Sequence, residues 1–262
     1  MKTNIKQEDT DMTTKDDRLG ATKPILDEHH HHTLYDPHKR TSTLSDIILG
    51  GQDGLVNVLG VTLGVAAATS DTWVIIVAGL AATFAESVSM AAVAYTSTLA
   101  DADFYESERE REYRHIQDVP KLEREEICEI YTQKGFKGEL LDLIVDTITA
   151  NKDVWVAVMM AEEHQLIPVD RKQALRSALI VGIAAFIGSL IPLVPFFFLP
   201  VNTSMVVSVL VAALVLFVVG AYKAHIYVGN PGKSGLEMAV IGTLSALVGY
   251  GVGLILRIPS TP

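Results

Sequence analysis

The stretch DIILGGQDGLVNVLGVTLGVAAA, Asp46–Ala68, runs for 23 residues with only two charged side chains, Asp46 and Asp53. A helix needs about 20 predominantly apolar residues to cross a bilayer, and this stretch supplies them. Its apolar residues are continuous, without the two-residue alternation of a lipid-facing strand, so the span is read as helical. Four further stretches have the same character. They run from about Trp73 to Leu99, Leu175 to Leu199, Thr203 to Tyr227 and Leu236 to Ile258. Residues 41–100 contain no Lys or Arg, and from 173 to the end the charged residues are Arg176, Lys223, Lys233, Glu237 and Arg257. The expected fold class is an all-α integral membrane protein with five transmembrane helices. Glycine is frequent within the spans, as close helix approach in a membrane requires. Gly249-Tyr250-Gly251-Val252-Gly253 holds a small-xxx-small step that suits either a contact within one chain or a dimer seam.

The charge lies between the spans. Of a net charge of −10, residues 101–172 carry −8, from 18 Asp and Glu against 10 Lys and Arg. An acidic chain of this kind is a poor nucleic-acid binder, because a phosphate backbone needs a basic surface. Cys128 is the single cysteine, which excludes an intrachain disulfide, and it is read as a small apolar residue. Residues 1–40 are polar and of mixed charge, without the apolar core of a signal peptide, and read as a disordered cytosolic tail. The run His29–His32 within it is read as a flexible tract rather than a metal site. Basic residues flank alternate loops: Lys39 and Arg40 precede the first span, Arg171, Lys172 and Arg176 the third, and Lys223 and Lys233 bracket the last loop. By the positive-inside rule, the N-terminus, the acidic insert and the 228–235 loop face the cytosol and the C-terminus faces the other side. The expected domains are therefore a tail (1–40), spans one and two (41–100), a helical cytosolic lobe (101–172) and spans three to five (173–262).

The insert reads as helices. Span two continues through Asp103–His115 without Gly or Pro until Pro120, then come Lys121 to Lys134, Glu139 to Asn151 and Lys152 to Leu166. Glu108, Glu112 and His115 fall at i, i+4 and i+7, on one helix face. Glu123 and Glu126 are spaced i, i+3 on the next helix, and Met159, Met160 and Glu163 cluster on the last. Carboxylates alone would suit Mg or Ca; an imidazole and two thioethers move the preference to Fe(II), Mn(II), Co(II) or Zn(II). The bland alternative is a solvated acidic helix face beside methionines that fill a core. Within the spans, Asp53 with Asn57 one turn on, and Glu86 with Met90 at i+4, stand out. A carboxylate inside a span is costly unless it faces a polar path, and such groups suit proton exchange.

The chain resembles the vacuolar iron transporter family from about Ser45 onward. The resemblance is carried by Ser45-Asp46-Ile47-Ile48-Leu49-Gly50-Gly51-Gln52-Asp53-Gly54-Leu55, Glu86-Ser87-Val88-Ser89-Met90-Ala91-Ala92, Trp155-Val156-Ala157-Val158-Met159-Met160-Ala161-Glu162-Glu163 and Ile191-Pro192-Leu193-Val194-Pro195. It implies a five-helix membrane dimer with a cytosolic metal-binding lobe that exchanges Fe(II) for protons and moves iron into a vacuole or out of the cell. It implies lobe ligands Glu112, Glu123, Glu126, Met159, Met160 and Glu163, and a membrane path through Asp53 and Met90. Two positions depart from the family: it usually has glutamate where this chain has His115, and some relatives are acidic at Ala82, for which Glu86 would substitute.

The expected protein is a homodimeric Fe(II)/H⁺ antiporter, not an enzyme, with Mn(II), Co(II) and Zn(II) as further candidate ions and the lipid bilayer as its environment. Two rivals differ in class. A membrane-anchored di-iron enzyme would need a second Glu-x-x-His beside Glu112-x-x-His115, and residues 41–262, the spans and the lobe, hold none. A sensor or storage module would have no use for Asp53 and Glu86 in lipid.

Overall fold

The computed structural model describes residues 42–227 and 229–256. The His29–His32 run, Lys39, Arg40 and Arg257 lie outside them. Eight helices follow in order: α1 (Ser42–Ala68), α2 (Thr72–Asp118), α3 (Pro120–Gln133), α4 (Glu139–Thr149), α5 (Lys152–Glu162), α6 (Lys172–Leu193), α7 (Val201–Ile226) and α8 (Pro231–Ile255). Among the described residues there is no strand. Five of the helices, α1, α2, α6 with its continuation to Phe197, α7 and α8, are long and apolar enough to cross a membrane.

Asp71 sets the start of α2, its carboxylate accepting from the backbone N–H groups of Trp73 (2.8 Å) and Val74 (3.3 Å). With no Gly or Pro after Gly79, the helix then runs for 47 residues, about 70 Å at 1.5 Å per residue. It ends where Pro120 opens α3 at a position that needs no donor. One rigid element thus belongs to both the span bundle and the lobe.

α1 is held by glycine on two sides. At Gly50 and Gly54 it touches the carbonyls of Val181 and Ala185 on α6 so closely that a Cβ would collide, and Ser177 Oγ donates to Asp46 Oδ2 at 2.9 Å across the same seam. Toward its other end, Gly60 and Gly64 meet Gly249 and Gly253 of α8. The small-xxx-small step of α8 is therefore a contact within one chain. Gly251, between them, has nothing within 4 Å of where its Cβ would be. Gly253→Val is expected to destabilise the protein by about 1–3 kcal/mol, since the helices must part to admit it. Gly251→Val, one residue pair away, should leave the melting temperature in detergent unchanged; equal melting of both variants would contradict this packing.

α6 runs into a short 3₁₀ turn, Val194–Phe197, after Pro192. Serines of α7 tie this turn to the bundle: Ser208 Oγ donates to Pro192 O (2.6 Å) and Ser204 Oγ to Pro195 O (3.1 Å) and Leu199 O (3.0 Å). In lipid a carbonyl left without a donor would cost several kcal/mol. α6 turns Leu175, Leu179, Ile183 and Ile187 outward, all more than half exposed, as a lipid-facing stripe should be.

The lobe has its own core, with Ile127 of α3, Val145 of α4, Val156 and Met159 of α5 and Ile116 of α2 packed together. Polar ties join its helices at the rim. Tyr113 Oη donates to Asp153 Oδ1 (2.6 Å), Arg124 pairs with Asp146 (2.7 Å) and Lys134 with Glu162 (2.6 Å). α5 stops at Glu162, four residues before the expected Leu166, because Gln165 takes a left-handed backbone (φ 54°) and Leu166 N–H turns back to Met160 O.

Candidate metal centre

The centre grows from α2. Glu112 is 2% exposed, and two other chain segments, α3 and the stretch just beyond α5, converge on it. His115, one turn along α2, puts Nδ1 3.8 Å from Glu112 Oε1 and 3.5 Å from Glu123 Oε1 of α3. His164, just beyond α5, puts Nε2 2.9 Å from Glu112 Oε1. Glu163 completes a second grouping. Donor atoms of Glu112, His115 and Glu123, and those of Glu112, Glu163 and His164, each lie within 4.8 Å of one another.

Glu112 Oε2 and Glu123 Oε2 are buried and have no hydrogen-bond partner among the described residues. Burying a carboxylate oxygen unpaired is costly, so a cation is the natural complement. The electrostatics agree. Burial, then the charges of Glu126, Glu112 and Glu163, push the Glu123 carboxyl up to about 7. Glu163 is raised by desolvation and by Glu126. For His164, desolvation pulls the imidazole down, but its hydrogen bond to Glu112 and the charges of Glu163, Glu112 and Glu108 outweigh it and hold it above its usual value. Such clusters of perturbed groups gather at functional sites.

The predicted lobe residues fall into four sets. Glu112, His115, Glu123 and Glu163 converge. Glu126 stands beside Glu123 and Glu163 as a neighbouring charge. Glu108, also buried, is held by Arg111 at 2.9 Å and lies outside both groupings. Met159 and Met160 are 0% and 1% exposed and belong to the lobe core. His164 is the residue that sequence reasoning missed. In sequence only its place four residues after Met160 and next to Glu163 marks it, and its contact with Glu112 crosses 52 residues of chain.

In the spans, Asn57 Nδ2 donates to Asp53 Oδ2 at 3.3 Å, and Glu86 of α2 interacts with both Asp53 and Asn57. Asp53, Glu86 and Met90 are half-buried and Asn57 is exposed. Beside them Ser189 Oγ, fully buried against Gly54, has no hydrogen-bond partner among the described residues. Glu86 and Glu112 are about 40 Å apart along α2.

Comparison with known proteins follows the same lines. The model of the VIT family matches residues 44–254. The chain is 32% identical over 213 residues to vacuolar iron transporter 1 of Tulipa gesneriana, covering 81% of this chain and 86% of the relative. It is 32% identical over 238 residues to vacuolar iron transporter 1 of Oryza sativa subsp. japonica, covering 89% and 93%. It is 31% identical over 232 residues to the vacuolar iron transporter of Toxoplasma gondii, covering 83% and 77%.

Proposed function

The chain belongs to the VIT family of multi-pass membrane proteins, and from that premise we propose that it is a homodimeric antiporter that moves Fe(II) out of the cytosol, into a vacuole or out of the cell, in exchange for protons. Mn(II), Co(II) and Zn(II) are further candidate cargo. The observation that carries the reading is a pair of buried carboxylates, Glu112 and Glu123, whose Oε2 atoms have no hydrogen-bond partner among the described residues and whose Oε1 atoms lie 3.8 Å and 3.5 Å from the His115 Nδ1. A soft-to-borderline divalent cation satisfies both oxygens and the nitrogen at once.

In this reading the N-terminus, the 101–172 lobe and the α7–α8 loop face the cytosol, and the C-terminus lies opposite. The lobe takes up cytosolic ion. Asp53, Asn57, Glu86 and Met90 then pass it across the spans, oxygens binding the ion and the Met90 thioether favouring iron over hard ions. Protons return through Asp53 and Glu86, the latter standing in for the acidic position that Ala82 lacks. Because about 40 Å separates the two sites along one helix, capture and translocation are distinct steps, with the lobe setting the supply and the spans the rate.

The test is uptake by proteoliposomes holding the purified full-length protein. Fe(II) should accumulate when the lumen is acid relative to the outside, acidify the outer medium as protons leave, and stop when the gradient is collapsed. Accumulation indifferent to the gradient would remove the proton coupling, and no accumulation would remove transport.

A further inference from the structure

One arrangement in the lobe is not required by the proposed function. Two imidazoles, His115 from α2 itself and His164 from just beyond α5, reach the same carboxylate, at 3.8 Å and 2.9 Å from Glu112 Oε1. Each stands with a different second carboxylate, Glu123 for His115 and Glu163 for His164. We propose that His164 is a metal ligand, and that Glu112 is shared by two adjacent ion positions, Glu112–His115–Glu123 and Glu112–Glu163–His164. The inference rests on the reading of the lobe as a metal site and specifies its ligands and the class of ion it prefers.

Three observations support it. First, Glu112 is almost fully buried yet has one oxygen engaged by His164 and the other, Oε2, without a partner. A carboxylate that merely anchored His164 would gain nothing from burying its second oxygen dry. A carboxylate bridging two cations uses both, as in sites whose metals lie about 3.5–4 Å apart. Second, His164 is placed by a turn that costs energy: Gln165 adopts a left-handed backbone, uncommon for a residue other than glycine, and α5 ends there. Third, the paired atoms come from α2 and from just beyond α5, and these two helices are also tied at the start of α5, where Tyr113 Oη donates to Asp153 Oδ1 at 2.6 Å, so the packing of α2 against α5 does not depend on an ion.

The consequence is selectivity. Each position offers one nitrogen and two carboxylates. Imidazole favours Fe(II), Co(II) and Zn(II), whereas an all-oxygen set serves Mn(II) and Mg(II) equally well. The second imidazole therefore biases the lobe as a whole, not half of it, against hard ions.

The experiment is calorimetric titration of the full-length protein in detergent with Co(II) and, separately, Mn(II). Wild type is compared with His164→Gln, His164→Leu and Glu112→Gln, so that any contribution common to all four proteins cancels. His164→Gln and His164→Leu are expected to remove one Co(II) equivalent or weaken it at least about tenfold, and to change Mn(II) affinity less than about threefold. Glu112→Gln is expected to weaken both positions. In Mn(II)-loaded wild type, pulsed electron paramagnetic resonance should show imidazole nitrogen couplings that diminish in His164→Gln; this readout needs no change in stability. Unchanged Co(II) binding and nitrogen couplings in both His164 variants, with binding still lost in Glu112→Gln, would overturn the role of His164 while leaving the lobe site intact. An equal loss of Co(II) and Mn(II) would also overturn it, as a purely structural effect. Unchanged binding in Glu112→Gln as well would overturn both this inference and the lobe reading beneath it.

Discussion

Replacing Asp53 with alanine is expected to lower Fe(II) uptake by proteoliposomes about 100-fold, the scale on which loss of a metal-site group is felt. Asp53 lies in a helix whose neighbouring Gly54 is pressed against the Ala185 carbonyl of α6, so its backbone is fixed. The Asn57 amide donates to its carboxylate at 3.3 Å, and Glu86 approaches both from α2. Two carboxyl groups this close within spans otherwise nearly free of charge call for a cation between them, and Asp53 is the member fixed to the packed glycine seam. Asp53→Asn keeps the size and the contact with Asn57 but removes the charge, and should be nearly as inactive as the alanine variant. Glu86→Gln separates binding from coupling: Fe(II) should still enter, but no longer against its gradient when the lumen is acid. Ion binding by the lobe, about 40 Å away along α2, should be unchanged in all three, which shows that the variants are folded. Wild-type uptake by a folded Asp53→Ala protein would end the assignment of the path.

Much of this architecture is legible in local sequence, because membrane spans are set by length and continuous apolarity. The 47-residue α2 follows from the absence of Gly and Pro between Gly79 and Pro120, and its start from Asp71. Capping residues and prolines act on their own neighbours, so they can be read without a fold. What depends on packing is less visible. The Gly249–Gly253 step is equally compatible with two partners in sequence, and only the approach of Gly60 and Gly64 identifies the one within the chain. Met159 and Met160 read as thioether ligands in sequence, and only the packed lobe shows both to be buried beside Ile127, Val145 and Val156. Glu108 shares a helix face with Glu112, but Arg111, three residues on, engages its carboxylate. His164 is the clearest case. Helical spacing links it to Met160 but not to Glu112, which it meets because the left-handed Gln165 turn and the α2–α5 contact bring them together. Helix periodicity finds ligands on one helix; it does not find those joined by tertiary contact.

Stabilisation of the protein by metal is expected to grow steeply as pH rises from 5.5 to 8. Glu123 is pushed up to about 7 by burial and by the charges of Glu126, Glu112 and Glu163. Glu163 is raised by desolvation and by Glu126, and His164 is raised by Glu112 and Glu163 against its desolvation. A group whose folded value lies above its unfolded one contributes stability that is complete below the unfolded value and is lost as pH rises through the folded one. All three groups have this sign, so the metal-free lobe should lose stability as pH climbs from about 4.5 to about 7, above which the Glu123 share of the loss is complete. Metal binding runs the other way. A cation takes the deprotonated carboxylate and the neutral imidazole, so below about 7 it competes with the proton on Glu123. Each further unit of acidity then lowers apparent affinity about tenfold from that residue alone. The difference in melting temperature with and without Co(II) should therefore be small at pH 5.5 and large at pH 8. Glu123→Gln should bind more weakly at high pH and flatten the dependence, because the competing proton has gone with the carboxylate. A metal-induced shift that is the same at pH 5.5 and pH 8 in the wild type would mean that the ion is held elsewhere.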